Sequence, residues 1–108
     1  MHLYGLKTCD TTRKALKTLR EAGLEVTYID VRSDGVPEDL LSRFLAAFGE
    51  ALINKRSTTW RGLSDSEQAG DAHALLLAHP TLMKRPVIQS DEDFYLGWGE
   101  DVQAALFG

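Results

Sequence analysis

The length, composition and charge of the chain favour a single globular domain and exclude several classes of function. The chain has 108 residues, of which 44% are hydrophobic and 26% charged, which is enough apolar material for a core and is not typical of disorder. Its formal net charge of −4 argues against a general nucleic-acid binder, because such proteins need clustered Lys and Arg. No apolar run approaches the ~20 residues that span a bilayer, and the chain does not begin like a signal peptide. We therefore expect a cytoplasmic protein without nucleic-acid or membrane partners. We also expect a monomer.

The first part of the chain predicts a strand, a helix and a second strand. Residues 2–4 form a short strand-like run that stops at Gly5. From Thr11, apolar residues recur at three- and four-residue spacing, which predicts an amphipathic helix that ends at Gly23. Residues 24–31, LEVTYIDV, are rich in β-branched and aromatic side chains and predict a strand. Because strand–helix–strand crossovers are right-handed, the two strands should be parallel.

The middle of the chain is predicted to be mostly helical. Pro37 fits as the first residue of a second helix. The polar segment INKRSTTWRGL, residues 53–63, is predicted to be a loop. Ser64 and Glu67 have the spacing of a capping box and predict a short helix, and AHALLLAH predicts another that ends at Pro80.

The last part of the chain predicts a hairpin and a short helix. The strand candidates VIQ and FYLG flank an acidic turn at residues 90–93. The closing segment GEDVQAALFG has acidic residues first and apolar residues after them, as a helix start favours. The predicted order is therefore βαβ, then helices, then ββα. This order, with a cysteine at the first helix start and a proline before the third strand, is that of thioredoxin-like α/β domains.

Cys9 is the single cysteine of the chain and is predicted to lie at the start of the first helix. Free backbone N–H groups and the helix dipole favour an anion there and lower a cysteine pKa below its ordinary value of about 8.5. Lys7 and Arg13 are spaced to face the sulfur, and the same donors would bind a carboxylate or an oxyanion. Three further hydroxyl donors lie close by in the sequence: Thr8, Thr11 and Thr12.

A lone cytosolic cysteine is often just a small buried residue. The polar and cationic neighbours of Cys9 favour an accessible thiolate instead. A single cysteine cannot form an internal disulfide, so a second thiol must come from another molecule.

Three segments resemble the arsenate reductase (ArsC)/Spx-like family, and most closely its YffB-like branch: YGLKTCDTTRKA, INKRSTTWRGLS and LMKRPVI. The resemblance covers nearly the whole chain. It implies one thioredoxin-like domain over residues 1–108, in which a helical insertion at about 37–79 separates the βαβ and ββα halves. It also implies that Cys9 is the nucleophile, that Arg85 lies beside an anion site, and that Pro86 is a cis proline that holds the following backbone against the cysteine loop.

The chain departs from glutaredoxin-coupled arsenate reductases, in which three arginines surround the cysteine. Arg85 has a clear counterpart. Asn54 stands at the position of the middle arginine, with Lys55 and Arg56 beside it, and the last arginine is replaced near Trp98.

The resemblance to the YffB-like branch implies a glutathione-dependent thiol-disulfide oxidoreductase with no bound cofactor. Glutathione or a glutaredoxin-type thiol would resolve the mixed disulfide on Cys9, and Lys55, Arg56 and Arg85 would hold carboxylates or an oxyanion. One alternative is an arsenate reductase coupled to glutathione and glutaredoxin. A second is a non-enzymatic, Spx-like protein that binds a transcription complex, although Spx proteins usually carry Cys-x-x-Cys and here the second position is Thr12.

Several other residues have two interpretations. On the first helix, Lys17 and Arg20 are typical of a solvated face, because they lie whole turns away from Cys9. The cluster TTWR at residues 58–61 and Trp98 could either serve the site or pack. No metal site is expected, since the histidines lack partner ligands at suitable spacing.

Overall fold

The computed structural model describes residues 1–107, and its elements follow the predicted order. The strands are β1 (His2–Gly5), β2 (Thr27–Asp30), β3 (Val87–Ser90) and β4 (Asp93–Leu96). The helices are α1 (Asp10–Glu21), α2 (Glu38–Phe48), α3 (Thr58–Arg61), α4 (Asp65–Gln68), α5 (Ala72–Ala78) and α6 (Glu100–Phe107), with 3₁₀ turns at Gly49–Leu52 and Pro80–Leu82. Within this described part of the chain, no helix has the length and apolar character that crossing a membrane requires.

The contacts divide the chain into two compact units. The sheet unit contains Met1–Ser33 and the chain from Arg85 onward, and the insertion unit is Asp34–Lys84. The insertion unit thus includes all of the residues that we predicted to interrupt the fold, at about 37–79. That the whole chain acts as one domain stays a prediction.

The sheet has the strand order β2-β1-β3-β4. β1 runs parallel to β2 and antiparallel to β3, with Leu3 opposite both Tyr28 and Ile88. β3 and β4 form the hairpin, in which Ser90 pairs with Asp93. The parallel crossover and the hairpin predicted from the sequence are both confirmed.

A small apolar core holds α1 and α6 against the sheet. Leu3 and Ile88 from the sheet, Ala15 and Leu19 from α1, and Val102 from α6 are all buried together. Burying one leucine or isoleucine contributes roughly 1.5–3 kcal/mol. This core fixes the axis of α1 on β1 and therefore fixes where Cys9, at the start of α1, must lie.

The insertion unit has its own core. α2 contributes Leu41 and Phe44 and packs on α5, which contributes Leu76. An isolated antiparallel bridge joins Ile53 to Met83 and holds the two ends of the segment between them together.

The prediction of a loop over residues 53–63 is wrong at 58–61, where α3 forms. Ser57 caps this helix: its Oγ accepts a hydrogen bond from the Trp60 N–H at 3.1 Å and donates one to the Asn54 carbonyl at 2.8 Å. A four-residue helix has too few residues to show an apolar period, so only the cap could have signalled it.

Helix ends in the insertion follow the sequence closely. The predicted capping box is present, with Ser64 and Glu67 each accepting a hydrogen bond from the other's backbone N–H. Pro37 is the residue before α2 rather than its first residue. Pro80 follows α5 as predicted and also begins the second 3₁₀ turn.

Candidate functional site

Cys9 lies where the chain passes from β1 into α1. After Gly5 the backbone turns, and the Cys9 N–H donates to the Leu6 carbonyl at 3.0 Å. Cys9 has extended backbone angles, φ −87° and ψ 118°, and its carbonyl accepts the first helical hydrogen bond from the Arg13 N–H at 3.1 Å. The predicted place of the cysteine at a helix start is confirmed. Its thiol is free and partly exposed.

The surroundings of the Cys9 sulfur favour the thiolate. Burial raises the pKa of the thiol, but three groups act against burial and together hold the pKa below its ordinary value. They are the Thr12 hydroxyl, the Thr12 backbone N–H, and the Arg85 guanidinium, which contributes both a hydrogen bond and its positive charge. The site therefore has the electrostatics of a nucleophilic cysteine.

Thr12 is fully buried on the inner side of the first turn of α1. Within residues 1–107 its Oγ1 has no hydrogen-bond partner of good geometry, so the hydroxyl can turn toward the sulfur, where it lowers the pKa of the thiol. Thr12 fits there because Gly5 lies opposite: a Cβ at Gly5 would overlap Cγ2 and Oγ1 of Thr12. The sequence indicated a donor at Thr12, and the structure adds that the donor is buried.

Arg85 and Pro86 bring the third signature segment to the cysteine. The bond between them is cis, and Pro86 is buried immediately before β3, which pairs with β1. The Pro86 carbonyl accepts a hydrogen bond from the Gly97 N–H at 2.8 Å, which ties the segment to the end of β4. Arg85 is thereby placed where its charge acts on the Cys9 sulfur.

The other residues predicted around the cysteine are exposed. Arg13 forms an ion pair with Asp10, one turn back along α1, and 63% of its side chain is accessible. The Lys7 N–H donates to Asp30 at 3.5 Å, so its backbone joins the cysteine loop to the end of β2. That the Lys7 and Arg13 side chains stabilise the Cys9 thiolate stays a prediction. The same is true of two exposed hydroxyl residues: Thr8 and Thr11.

Asn54, Lys55 and Arg56 lie together in the insertion unit. The Asn54 side chain accepts a hydrogen bond from the Arg56 N–H at 3.1 Å and closes a tight turn. These three residues line one pocket with Lys84, which was not predicted as a site residue although it precedes Arg85 in the third segment. The pocket therefore carries three cations and an amide, a set of groups that suits an anion.

The two tryptophans have different surroundings. Lys55 Nζ lies 5.7 Å from the Trp60 ring centroid, which places Trp60 next to this cationic turn. Trp98 packs on the sheet core and meets Phe107 edge to face at 6.1 Å, which favours its packing interpretation. No group of three or more potential metal ligands occurs within residues 1–107.

Comparison with known proteins identifies the family of this chain. Residues 4–106 match the ArsC family. An uncharacterised protein of Haemophilus influenzae is 40% identical over 110 residues, covering 97% of this chain and 96% of the relative. A solved YffB protein superposes with a TM-score of 0.87 at 33% identity over 96% of each chain. The global transcriptional regulator Spx of Staphylococcus epidermidis is 27% identical over 105 residues, covering 92% of this chain and 80% of Spx. The predicted family and the thioredoxin-like α/β fold are confirmed.

Proposed function

Because the chain belongs to the ArsC family, we propose that it is a cytoplasmic thiol-disulfide oxidoreductase in which Cys9 is the nucleophile and glutathione supplies the second thiol. The observation that carries the proposal is the stabilisation of the Cys9 thiolate by Thr12 and Arg85 at the start of α1. A thiolate, and not a thiol, is the species that attacks a disulfide.

In the first step, Cys9 Sγ attacks one sulfur of a substrate disulfide. A bond forms between the two sulfurs, the substrate S–S bond breaks, and the second substrate sulfur leaves as a thiolate that takes up a proton. The Arg85 guanidinium stabilises negative charge next to Cys9, both in the attacking thiolate and in the transition state.

In the second step, glutathione attacks the mixed disulfide on Cys9. Glutathione must enter from solution because Thr12, a hydroxyl residue, occupies the position of a second cysteine. When the sulfur that Cys9 attacks belongs to glutathione, the intermediate is a Cys9–glutathione disulfide. The sum of the two steps then converts a substrate–glutathione disulfide and one glutathione thiol into a free substrate thiol and oxidised glutathione. We assign Arg85 to a carboxylate of glutathione, since a guanidinium group binds a carboxylate well, and roles for Lys55 and Arg56 stay what the family resemblance implies.

Incubation with oxidised glutathione tests this function. Mass spectrometry of the wild type should show one glutathione adduct that reduced glutathione removes. The Cys9→Ser variant is the matched control and should show none. A wild-type protein that forms no adduct at any pH would contradict the proposal.

Arsenate reduction is the second candidate, and the observation that favours it is the positive charge of Arg85 at the Cys9 sulfur. An arsenate oxyanion could bind at the same place. Turnover that requires arsenate, glutathione, glutaredoxin and Cys9 would establish this activity in place of disulfide reduction.

An Spx-like regulatory role differs because it requires a partner surface and not a reactive thiol. Similarity to Spx at 27% identity is the observation behind it. Recovery of RNA polymerase to the same extent by the wild type and by Cys9→Ala, with no glutathione adduct on the wild type, would favour the regulator.

A further inference from the structure

The outer face of α1 carries a basic stripe that begins one turn after Cys9. Arg13, Leu16, Lys17 and Arg20 are separated by helical steps that keep them on one side of α1, and Cys9 is the residue that precedes the helix. We propose that this stripe binds an extended, acidic polypeptide segment whose cysteine carries the disulfide that Cys9 attacks. This substrate class refines the proposed function and holds only where that function holds.

The stripe forms a groove with a partly apolar floor. Arg13, Leu16, Lys17, Arg20 and Glu21 line this groove. Leu16 is half-buried against the sheet core, whereas 77% of the Lys17 side chain is accessible. A polypeptide can use both features, because its apolar groups cover the leucine while its carboxylates meet the cations.

The cations of the stripe have only weak partners within the chain. Arg13 pairs with Asp10, whose side chain is 92% accessible, and Lys17 Nζ lies 3.9 Å from Glu21 Oε1. Arg20 donates to the Val26 carbonyl at 3.2 Å, which leaves its charge uncompensated by that contact. Exposed ion pairs contribute little and are screened by salt, so carboxylates of a ligand can replace Asp10 and Glu21.

The stripe is positively charged, although the chain as a whole is negatively charged. Acidic residues outnumber basic ones by 16 to 12 overall. Four of those twelve basic residues nevertheless fall within eight consecutive positions of α1: Arg13, Lys14, Lys17 and Arg20. An acidic partner is therefore attracted to α1 and repelled by the chain as a whole, which orients its approach.

The length of the stripe favours a polypeptide over glutathione alone. From Cys9 to Arg20 the helix rises about 16 Å at 1.5 Å per residue. Three extended residues span only about 10 Å, so a tripeptide would leave the far end of the stripe uncovered. Three cations around a leucine also suit carboxylates better than a nucleic-acid backbone, which needs a larger positive surface.

The chemistry follows the proposed function. The Cys9 thiolate attacks the glutathione sulfur of a peptide–glutathione disulfide, and a Cys9–glutathione bond forms as the peptide sulfur leaves and is protonated. A second glutathione then forms oxidised glutathione and releases Cys9. The acidic segment remains on α1 only until its thiol has left.

Two synthetic peptides test the stripe directly. Both carry one cysteine joined to glutathione. In one peptide the flanking residues are Asp and Glu, and in the other they are Asn and Gln. We expect the wild type to release the acidic peptide faster by on the order of tenfold at low salt, with the preference lost as sodium chloride is added.

Lys17→Gln should reduce that preference by about threefold, since one exposed cation is removed from the stripe. Arg32→Gln is the matched control, because Arg32 is an exposed cation that lies outside α1. Far-UV circular dichroism and unfolding in urea verify that both variants remain folded.

Each outcome has a definite meaning. If neither peptide reacts through Cys9, the proposed function fails and this inference fails with it. Equal rates for both peptides, or equal losses in Arg32→Gln and Lys17→Gln, would overturn the inference while the proposed function stands. The inference also fails if a single-stranded oligonucleotide competes better than a cysteine-free acidic peptide of equal charge, because the stripe would then be assigned to nucleic acid.

Discussion

Thr12 is the residue whose side chain most directly supports the reactivity of Cys9. In the sequence, Thr12 stands where a Cys-x-x-Cys protein has its second cysteine, and its hydroxyl stabilises the Cys9 thiolate without providing a second thiol. In Thr12→Val the shape is kept and the hydroxyl is lost, so we expect the pKa of Cys9 to rise toward its ordinary value. The absorbance of the thiolate, followed against pH, measures this change.

The same substitution should leave the fold intact. Because Oγ1 of Thr12 is buried without a hydrogen-bond partner of good geometry, the free energy of unfolding of Thr12→Val should equal or exceed that of the wild type at a pH below the folded pKa of Cys9, where the thiol is neutral. Thr11→Val removes an exposed hydroxyl from the same turn and is the control. Equal effects of the two variants on the pKa of Cys9 would contradict the role given to Thr12.

Residue types at the site could be predicted better than their surroundings. Cys9 and Arg85 were identified because a helix start and a short motif are local in sequence. The ion pair between Arg13 and Asp10 could not be predicted, because Arg13 lies one helical turn from both Cys9 and Asp10. Which of two neighbours an exposed side chain meets depends on rotamers that the sequence pattern does not specify.

Among the elements, β1 and α1 depend on each other at one close approach. A Cβ at Gly5 would overlap the Thr12 side chain, so Gly5→Ala must displace either the end of β1 or the first turn of α1. We expect Gly5→Ala to lower the free energy of unfolding by about 1–3 kcal/mol, the usual cost of overpacking, and to slow the reaction of Cys9. Urea unfolding and the rate of reaction with a disulfide reagent measure the two effects.

Two further variants separate the causes of that loss. Gly5→Ala combined with Thr12→Ala removes Cγ2 and Oγ1 of Thr12, the two atoms that overlap most, so the free energy of unfolding should largely return. The pKa of Cys9 should still be higher than in the wild type, because the Thr12 hydroxyl is lost. Gly62→Ala is the control, because its added Cβ makes only an ordinary contact with the Thr58 carbonyl, at 3.4 Å. A loss in Gly62→Ala as large as that in Gly5→Ala would show that the overlap with Thr12 is not the cause.

Long elements could be predicted from periodicity, and short ones could not. α1 and α2 each bury one side of several turns, so their apolar spacing is visible in the sequence. α3 has four residues and is stabilised by the Ser57 side chain at its N-terminus. A serine at that position is equally compatible with an irregular loop in which it caps no helix. α1 and α2 are specified by a repeated apolar pattern, whereas α3 is specified by a single capping hydrogen bond.

At the scale of the whole molecule, the strand order of the sheet brings the first and third signature segments together in space. β1 and β3 are central neighbours, so the residues that follow β1 and precede β3 lie at the same edge, which brings Cys9 to Arg85. The insertion unit is encoded differently. Its pocket of cations depends on a turn at Asn54 and on Lys84, which are far apart in the sequence and share no pattern.

The lowered pKa of Cys9 also links the stability of the protein to pH. The folded state releases the thiol proton at a lower pH than the unfolded state does, where the pKa is the ordinary value of about 8.5. Between these two values the unfolded state binds more protons, so ionisation of Cys9 stabilises the fold increasingly as pH rises. This contribution is fully present above the unfolded pKa and is lost as pH falls through the folded pKa.

The difference in unfolding free energy between the wild type and Cys9→Ser, measured in urea under reducing conditions, should therefore grow with pH across this window and be constant below it. The growth should be smaller when both proteins carry Thr12→Val, because that background raises the folded pKa. A difference that does not change with pH, or one that shrinks as pH rises, would contradict a thiolate stabilised by the fold.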